Sequence, residues 1–256
     1  MGAYAVRDAG NEHHAEKIAA LSDGVIDDFS QMSRLHSLPQ RQRCVIFTAR
    51  CDGEVKRAYT PREGDCVLCA DGGWQLARQA GVKPDLVIGD FDSSEQPEEG
   101  TVERFPVEKD DTDTMLCLKK GLSMGFDDFL IVGGFGGRID HTLGNFQALR
   151  YAADRAARAE INDGLSWATV VTGGAVRVPA DTIGSGPVKL SVFALDRECR
   201  GVTIRDTKWE AEDATWTNGF PLGVSNEFKA DYAEISVDEG ALLVTVCREE
   251  QPGRGA

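Results

Sequence analysis

The chain has 256 residues, of which 41% are apolar and 27% charged, and this is the composition of an ordinary globular protein that can bury a core. Its 28 basic and 42 acidic residues give a formal net charge of −14 at pH 7. Such an excess of negative charge repels the phosphates of nucleic acids and anionic lipid surfaces, so neither is an expected partner. A phosphate-bearing substrate would need a cation between it and the acidic groups.

The cysteines favour a reducing compartment. There are seven at scattered spacing, and an odd number argues against a disulfide framework. Cys66 and Cys69 have the spacing of redox or zinc sites, but they lie in an apolar run with no second pair, which predicts a buried strand. No run reaches the ~20 apolar residues of a membrane span, and no signal peptide is recognisable. We therefore expect a cytoplasmic protein without a membrane partner.

The first forty residues differ in pattern from the rest. Ile18, Leu21, Val25 and Ile26 recur at helical spacing, and Pro39 is a stop signal. The pattern predicts an N-terminal helical extension or arm over residues 1–40.

An α/β domain is predicted over residues 41–172. Short apolar runs at residues 44–47, 67–69, 86–88, 129–132 and 168–171 alternate with helical patterns near 73–80, 113–124 and 141–159. Strands that alternate with helices imply a mostly parallel sheet covered on both faces. Ligands of such sheets bind outside the carboxyl ends of the strands, so the residues that follow each run are the candidates for function.

An all-β domain is predicted over residues 173–250. Strand patterns recur at residues 188–193, 201–204, 233–237 and 241–246 without long helices between them. Asp238-Glu239-Gly240 predicts a short hairpin between the last two strands. The expected architecture of this part is a β-sandwich.

Aspartates follow the ends of the predicted strands. Asp71 follows the second run, Asp90 and Asp92 the third, and Asp140 the fourth, while residues 110–113 precede a predicted helix. Two carboxylates ~5 Å apart repel by roughly 3 kcal/mol at an effective dielectric near 20. A hard divalent cation with oxygen ligands offsets that repulsion, and Mg²⁺ suits a site in which substrate phosphates supply further ligands.

Each aspartate also has a structural alternative. Asp71 and Asp92 can stabilise turns beside glycine or serine, and Asp111 or Asp113 can cap the following helix. The gathering of all these acids at one edge of the sheet favours the metal site.

Two further patterns carry chemistry. Four glycines and Arg138 follow the run at 129–132, and glycine N–H groups with a fixed cation suit a phosphate, although a glycine-rich turn is often only a turn. No Walker-type pattern occurs. Trp209 lies upstream of Ser225 and Asn226, a combination that suits a flat cationic heterocycle but also core packing and a turn.

Taken together, these stretches resemble the thiamine pyrophosphokinase family over roughly residues 43–247. The matching segments are Ala-Asp-Gly-Gly at 70–73, Gly-Asp-Phe-Asp-Ser at 89–93, Lys-Asp-Asp-Thr-Asp at 109–113, Gly-Gly-Phe-Gly-Gly-Arg-Ile-Asp-His at 133–141 with Asn145, and Gly-Val-Ser-Asn-Glu-Phe at 223–228. The chain departs from the family pattern at Trp74-Gln75, where Ala-Asn is usual, and at Glu210-Ala211, where Pro-Leu is usual.

The resemblance implies a homodimeric enzyme that transfers the diphosphate of ATP to thiamine and releases AMP. It implies Mg²⁺ ligands at Asp71, Asp90, Asp92 and Asp113, and catalytic roles for Asp71, Asp92, Asp113 and Arg138. It implies contacts to the nucleotide from Gly72, Gly73, Asp111, Thr112, Gly134, Gly136, Gly137, Asp140, His141 and Asn145. It implies a thiamine site at Trp209, Ser225 and Asn226. Two alternatives are a metal-dependent phosphohydrolase that uses water and a non-catalytic sensor of thiamine or a nucleotide.

Overall fold

A computed structural model of the chain describes residues 42–89 and 111–249, a strand at residues 101–104 and two short strands near the N-terminus. These two, β1 (Ala5–Val6) and β2 (Val25–Ile26), pair in parallel. Val25 and Ile26 therefore lie in a strand and not in the predicted helix, since β-branched side chains favour extended backbone. The other residues of that predicted helix lie outside the described residues.

Six parallel strands form the sheet of the α/β part. They are β3 (Cys44–Phe47), β4 (Cys66–Ala70), β5 (Leu86–Gly89), β6 (Thr101–Arg104), β7 (Asp128–Val132) and β8 (Arg158–Asn162). The helices are α1 (Val55–Ala58), α2 (Trp74–Gln79), α3 (Asp113–Ser123) and α4 (Ile139–Ala153). The buried strand predicted for Cys66 and Cys69 is confirmed.

The third predicted helix is too long. The helix ends at Ala153, and the segment predicted as its last turn begins strand β8. Ala156 adopts a left-handed φ of 57°, and Ala157 N–H donates back to the carbonyl of Ala152, which together terminate the helix. Glycine is the usual residue at such a position, so an alanine there leaves no stop signal in the sequence.

The strand order places a reversal at the centre of the sheet. The order is β8-β7-β3-β4-β5-β6, so the chain runs outward from β3 to β6 and then returns to the other side of β3 through β7. The carboxyl ends of β3 and β7 are therefore neighbours at the point where the strand order reverses, which is where open α/β sheets bind their ligands.

Two apolar layers hold this sheet in place. Along β3, Cys44 and Ile46 pack into one cluster and Val45 and Phe47 into another, since successive side chains of a strand point to opposite faces. All four are fully buried. The parallel sheet is thus covered on both faces, as its continuous apolar runs predict.

The remainder of the chain is β-rich. Its strands are β9 (Ser166–Pro179), β10 (Val188–Ala194), β11 (Cys199–Arg205), β12 (Ala211–Trp216), β13 (Gly223–Asn226) and β14 (Tyr232–Arg248). The predicted fold class, a mostly parallel α/β part followed by an all-β sandwich, is confirmed as a mostly parallel α/β part followed by a β-rich part. Among the described residues, no helix has the length and apolar character that a bilayer crossing requires.

The hairpin predicted at residues 238–240 is wrong. Strand β14 is continuous over 17 residues and pairs with β9 on both sides of this segment. Val237 pairs with Gly174 and Ala241 with Thr172, so four steps along β14 oppose two along β9 and leave two extra residues in β14. Gly240, with φ 92°, lies in this bulge. A bulge and a short turn carry the same Asp, Glu and Gly signals, and only the pairing of the flanks distinguishes them.

The two parts share one sheet. Strand β8 pairs in parallel with β7 and antiparallel with β9, and β9 continues into the β-rich part as the partner of β14. Residue 172, the predicted boundary, lies inside β9.

Candidate active site

The carboxyl edge of the parallel sheet collects most of the predicted site residues. Asp71 follows β4, and Gly133 to Arg138 follow β7. The C-terminal turn of α3 lies at the opposite edge, since a Cβ on Gly121 would meet the Cys44 sulfur, at the start of β3, at 3.0 Å. Helix α3 therefore directs its N-terminus, with Asp113, towards the carboxyl edge.

Asp71 lies in a strained and tightly packed turn. It begins a 3-10 turn, Asp71–Gly73, and adopts a left-handed φ of 46°, which is uncommon for residues other than glycine. A Cβ on Gly89, at the end of β5, would lie 2.9 Å from the Cα of Asp71. The ends of β4 and β5 thus meet at this half-buried carboxylate.

Gly72 and Gly73, which the resemblance assigns to the nucleotide, are both buried. A Cβ on Gly73 would lie 2.0 Å from the carbonyl oxygen of Phe47. The absence of a side chain at Gly73 therefore allows the turn that carries Asp71 to approach the end of β3.

The N-terminus of α3 carries three predicted residues in different roles. Thr112 is the N-cap, and its hydroxyl accepts a hydrogen bond from the Met115 N–H at 3.2 Å. Both carboxylate oxygens of Asp111 accept from Lys119 Nζ at 2.7 Å. Asp113 is half-buried in the first turn, where the helix dipole favours a negative charge. Asp113 thus lies at the end of the helix that is directed towards the carboxyl edge, whereas Asp111 forms an ion pair with Lys119.

The glycine-rich segment after β7 has a backbone that other residues rarely adopt. Gly133, Gly134, Gly136 and Gly137 have φ values of 86°, 85°, 75° and 63°. Such left-handed turns direct successive N–H groups outward and form concave anion-binding surfaces. The segment leads directly into the first turn of the 15-residue helix α4, whose dipole adds partial positive charge.

Asn145 stabilises the glycine-rich segment through a side-chain hydrogen bond. It is buried, and its Nδ2 donates to the carbonyl of Gly134 at 2.8 Å. A Cβ on Gly134 would lie 2.9 Å from the same nitrogen. The geometry makes Asn145 a residue that positions the glycine segment, whereas the resemblance implies a direct contact to the nucleotide.

Arg138 and Asp140 form an exposed ion pair at the start of α4. Arg138 Nε donates to Asp140 Oδ1 at 3.1 Å, and Arg138 Nη2 to Oδ2 at 2.5 Å. The hydrogen bonds from Arg138 lower the pKa of Asp140, and Asp140 in turn raises the pKa of Arg138. The His141 N–H also donates to Asp140, and the His141 side chain is exposed. Arg138 is thus held with its charge at the end of the glycine segment.

Two residues at this edge were missed from the sequence. Arg50 and Asp52 follow β3, and Arg50 Nε donates to Asp52 Oδ1 at 2.6 Å. A Cβ on Gly136 would overlap the Asp52 carboxylate, and one on Gly137 would lie 3.1 Å from Arg50 Cδ. The rule that function follows each apolar run applies equally to the run at residues 44–47, and its application there would have identified both residues.

The loop that carries Arg50 is anchored through Cys51. The Cys51 thiol contacts the carbonyl of Asp163, the residue after β8, at 3.4 Å. Burial raises the pKa of Cys51 to about 11, so the thiol remains protonated at neutral pH. Burial also raises the pKa of Asp163, and the negative charge of Asp52 adds to this effect.

The predicted thiamine residues form a second group, in the β-rich part. The Trp209 side chain is 56% exposed, with the ammonium of Lys208 4.6 Å from its ring centre. Asn226 is buried, and its side chain accepts from the Trp209 and Glu227 N–H groups and donates to Thr207 Oγ1 and the Trp209 carbonyl. All its hydrogen-bonding capacity is used. Asn226 therefore positions Trp209.

Ser225 differs from its neighbour Asn226. It is exposed with a left-handed φ of 61°, and its N–H donates to Ser191 Oγ at 3.0 Å. Within the described parts of the chain, no hydrogen bond, ion pair or ring contact joins Trp209, Ser225 or Asn226 to the carboxyl edge. The structure thus brings the predicted residues together in two groups rather than one.

The described residues supply only part of the predicted metal site. Asp90 and Asp92 lie outside them. In the ranges 42–89 and 111–249, no three His, Cys, Asp or Glu side chains lie close enough together to share a metal ion. Asp71 and Asp113 are hard oxygen donors at the same edge, which fits a Mg²⁺ site that substrate and water complete.

Comparisons with known proteins bear on both parts of the fold. The model of the thiamin pyrophosphokinase catalytic domain matches residues 60–161, and that of the thiamin pyrophosphokinase vitamin B1 binding domain matches residues 185–242. The chain is 26% identical to a thiamine pyrophosphokinase of Bacillus subtilis over 181 residues, which are 68% of this chain and 83% of that protein.

Solved structures show the same fold. A crystal structure of thiamine pyrophosphokinase from Bacillus subtilis superposes with a TM-score of 0.72 at 22% identity and covers 81% of this chain and 100% of that one. Yeast thiamin pyrophosphokinase superposes with a TM-score of 0.62 at 14% identity, covering 86% and 89%. Both domain models of a single family match, in the order of the α/β and β-rich parts, and together they span more than half of the chain. The chain belongs to the thiamin pyrophosphokinase family.

Proposed function

We propose that this chain transfers the terminal diphosphate of ATP to the hydroxyethyl group of thiamine, with the nucleotide at the carboxyl edge of the parallel sheet. The observation that carries this proposal is that Asp71 and the glycine segment with Arg138 follow β4 and β7, the two strands that flank β3, and that α3 directs Asp113 towards the same edge. Family membership supports the overall reaction, and the positions of these residues support their individual roles.

Asp71 and Asp113 would hold Mg²⁺, together with Asp90 and Asp92. The metal, when bound, neutralises phosphate charge and makes the β-phosphorus a better electrophile. The net charge of −14 favours such a bridging cation for a polyanionic substrate. The tight packing of the Asp71 turn against Gly89 holds that carboxylate in one place, which reduces the reorganisation needed on binding.

The glycine segment and Arg138 would receive the phosphates. The N–H groups of Gly134, Gly136 and Gly137 and the first turn of α4 supply partial positive charge, and the Arg138 guanidinium supplies a full one. Asp140 orients Arg138, and Asn145 fixes the shape of the segment.

The transfer needs placement more than covalent chemistry from the protein. The thiamine hydroxyl oxygen forms a bond to the β-phosphorus, the bond from that phosphorus to the α,β-bridging oxygen breaks, and AMP leaves with the electron pair. The hydroxyl proton passes to an aspartate near the alcohol, for which Asp92 and Asp113 are the candidates. In-line placement of the two substrates accounts for most of the rate.

Thiamine would bind at the exposed Trp209 ring, with Ser225 as a polar contact and Asn226 as the residue that holds Trp209 in position.

Because the thiamine residues make no described contact with the carboxyl edge, we propose a homodimer in which one protomer's β-rich part completes the partner's site. Exposed apolar side chains in both parts would be covered in such a dimer: Phe220 and Leu222 between β12 and β13, and Ile139 and Leu143 on α4. We place the enzyme in the cytoplasm, the compartment that its cysteine content favours.

A single assay tests the reaction. The protein is incubated with thiamine, ATP and Mg²⁺, and mass spectrometry is used to measure thiamine diphosphate and AMP, which we expect in equal amounts. Phosphate release without thiamine would indicate a phosphohydrolase, and binding of either ligand in calorimetry without any product would indicate a sensor.

Two variants and one control test the site. Asp71→Asn and Asp92→Asn should fold normally and lose nearly all turnover, and chelation of the metal by EDTA should abolish AMP formation until Mg²⁺ is restored. Asp181→Asn makes the same charge change at an exposed position in the β-rich part and should retain full activity. Near-normal AMP release by Asp71→Asn would contradict the assigned role of that carboxylate.

A further inference from the structure

We propose that Arg50 is a second phosphate-binding arginine, which works beside Arg138 on the terminal phosphates of the nucleotide. The inference rests on the proposed function, because it assigns a residue to the same nucleotide site. Neither the sequence motifs nor the resemblance includes Arg50, and it lies outside both segments that match the family models.

The backbone of Arg50 is built into the glycine segment. Its carbonyl oxygen accepts hydrogen bonds from the Gly134 N–H at 3.1 Å and from the buried hydroxyl of Thr48 at 2.9 Å. A Cβ on Gly133 would lie 2.2 Å from that same oxygen. The loop after β3 and the segment after β7 are therefore in direct contact and joined by a hydrogen bond, at the reversal of strand order where a ligand is expected.

The side chain of Arg50 covers the anion-binding turn. A Cβ on Gly137 would lie 3.1, 3.2 and 3.3 Å from the Cδ, Nε and Cζ atoms of Arg50, so the guanidinium lies directly over that glycine. Arg138, the next residue along the chain, presents its own guanidinium at the end of the same turn. Two cations thus flank the backbone N–H groups of one short segment.

The two arginines differ in how many donors remain available. Arg138 uses Nε and Nη2 on Asp140, whereas Arg50 uses only Nε, on Asp52. Among the described residues, the two Nη groups of Arg50 have no hydrogen-bond partner, and the side chain is 64% exposed. A guanidinium that is oriented through Nε and open at both Nη groups has the fork geometry that phosphate oxygens accept.

An ion pair as exposed as Arg50–Asp52 adds little to the stability of a fold, so stability does not account for the geometry. Asp52 is instead a positioning residue, since its carboxylate packs on Gly136 and fixes the plane of the Arg50 guanidinium. The Arg50 guanidinium thus lies beside the backbone of the glycine segment.

Calorimetric binding of ATP, AMP and inorganic tripolyphosphate, each with Mg²⁺, tests this role. Arg50→Ala should weaken ATP and tripolyphosphate by about tenfold or more, the loss expected for a charge-assisted hydrogen bond, and leave AMP within about twofold. Arg50→Lys should recover part of the loss, because it restores the charge without the fork. Arg200→Ala is the matched control, since Arg200 is 61% exposed and pairs with Glu198 and Glu239 in the β-rich part.

The outcomes separate this inference from the proposed function. Unchanged binding of tripolyphosphate by Arg50→Ala would overturn the role of Arg50, as would an equal loss of ATP and AMP, which would point to a distorted loop. A wild-type protein that binds tripolyphosphate through Arg50 but forms no thiamine diphosphate would leave the role of Arg50 standing and remove the proposed reaction. In turnover, the KM for ATP should rise in Arg50→Ala while the KM for thiamine stays constant.

Discussion

Replacement of Asn226 by alanine should both destabilise the protein and weaken thiamine binding. The buried Asn226 side chain makes four hydrogen bonds, of 3.0 Å from the Trp209 N–H, 2.9 Å from the Glu227 N–H, 2.7 Å to the Trp209 carbonyl and 3.1 Å to Thr207 Oγ1. Alanine makes none of them. The loop that carries the exposed Trp209 ring would then lose its side-chain attachment to the end of β13 and keep only the neighbouring contacts of Thr207 and Lys208 with Phe228 and Glu227.

The magnitude follows from the number of bonds. A neutral hydrogen bond contributes about 1 kcal/mol net, so four give about 4 kcal/mol as an upper value. Water can reach the exposed side of Trp209 and replace part of this, while Thr207 is fully buried and cannot be rehydrated without opening the strand. We expect the free energy of unfolding to fall by about 2–4 kcal/mol.

Urea denaturation followed by circular dichroism measures the stability, and steady-state kinetics give the KM for thiamine. Ser225→Ala is the matched control, because the exposed Ser225 hydroxyl makes no hydrogen bond within the described parts of the chain. It should raise the KM for thiamine and change the stability by less than about 0.5 kcal/mol. An Asn226→Ala protein as stable as wild type would refute the hydrogen-bond argument, and a destabilised one with an unchanged KM would remove Trp209 from the thiamine site.

Three further predictions concern the fold and the edge. Gly73→Ala should destabilise the protein by about 2 kcal/mol or more in thermal unfolding, because the new Cβ would lie 2.0 Å from the Phe47 carbonyl oxygen. Gly144→Ala, on helix α4, is the control, since its Cβ would meet no atom within 4 Å, and it should stabilise the protein by about 0.5–1 kcal/mol. Burial raises the folded-state pKa of Asp163, so the folded protein holds this proton more tightly than the unfolded chain does. The stability that results is fully present below the unfolded pKa of about 3.9 and is lost as the pH rises through the folded pKa. Asp163→Asn should therefore gain stability relative to wild type as the pH rises from about 4, and a constant difference in urea titrations would contradict this sign. Asp111→Asn should leave the KM for ATP within about twofold, because both carboxylate oxygens of Asp111 bind Lys119 and not the nucleotide. This partly exposed ion pair contributes at most about 1 kcal/mol to stability. A large rise in the KM for ATP would indicate that Asp111 contacts the nucleotide.

The strands of the α/β part could be predicted because they are buried on both faces. Continuous apolar runs such as residues 44–47 and 129–132 are typical of strands at the centre of a covered sheet. Strand β8 was missed because its sequence, Arg-Ala-Glu-Ile-Asn, contains no continuous apolar run, and alanine and glutamate also favour helices.

Several predicted site residues lie at the carboxyl edge, and their roles there stay predictions. Asp71, Asp113 and Arg138 follow strands or begin helices, and local pattern is enough to place such residues at the edge. Asn145 and Asn226 were predicted to contact the substrates. In the structure, the side chain of each makes hydrogen bonds to a loop 11 to 19 residues away and holds that loop in position. Sequence distance gives no sign of such partners, because the partners become neighbours only after the chain has folded.

The sequence alone determined that acids, glycines and an arginine would collect at one edge, since the carboxyl ends of parallel strands must lie together whatever their order. Only the tertiary structure decided which ends are neighbours. The return of β7 to the side of β3 placed Arg50 over Gly137, although 87 residues separate the two in the chain. That contact depends on hydrogen bonds between two strands that no local pattern pairs, which is why the folded chain was needed to reveal it.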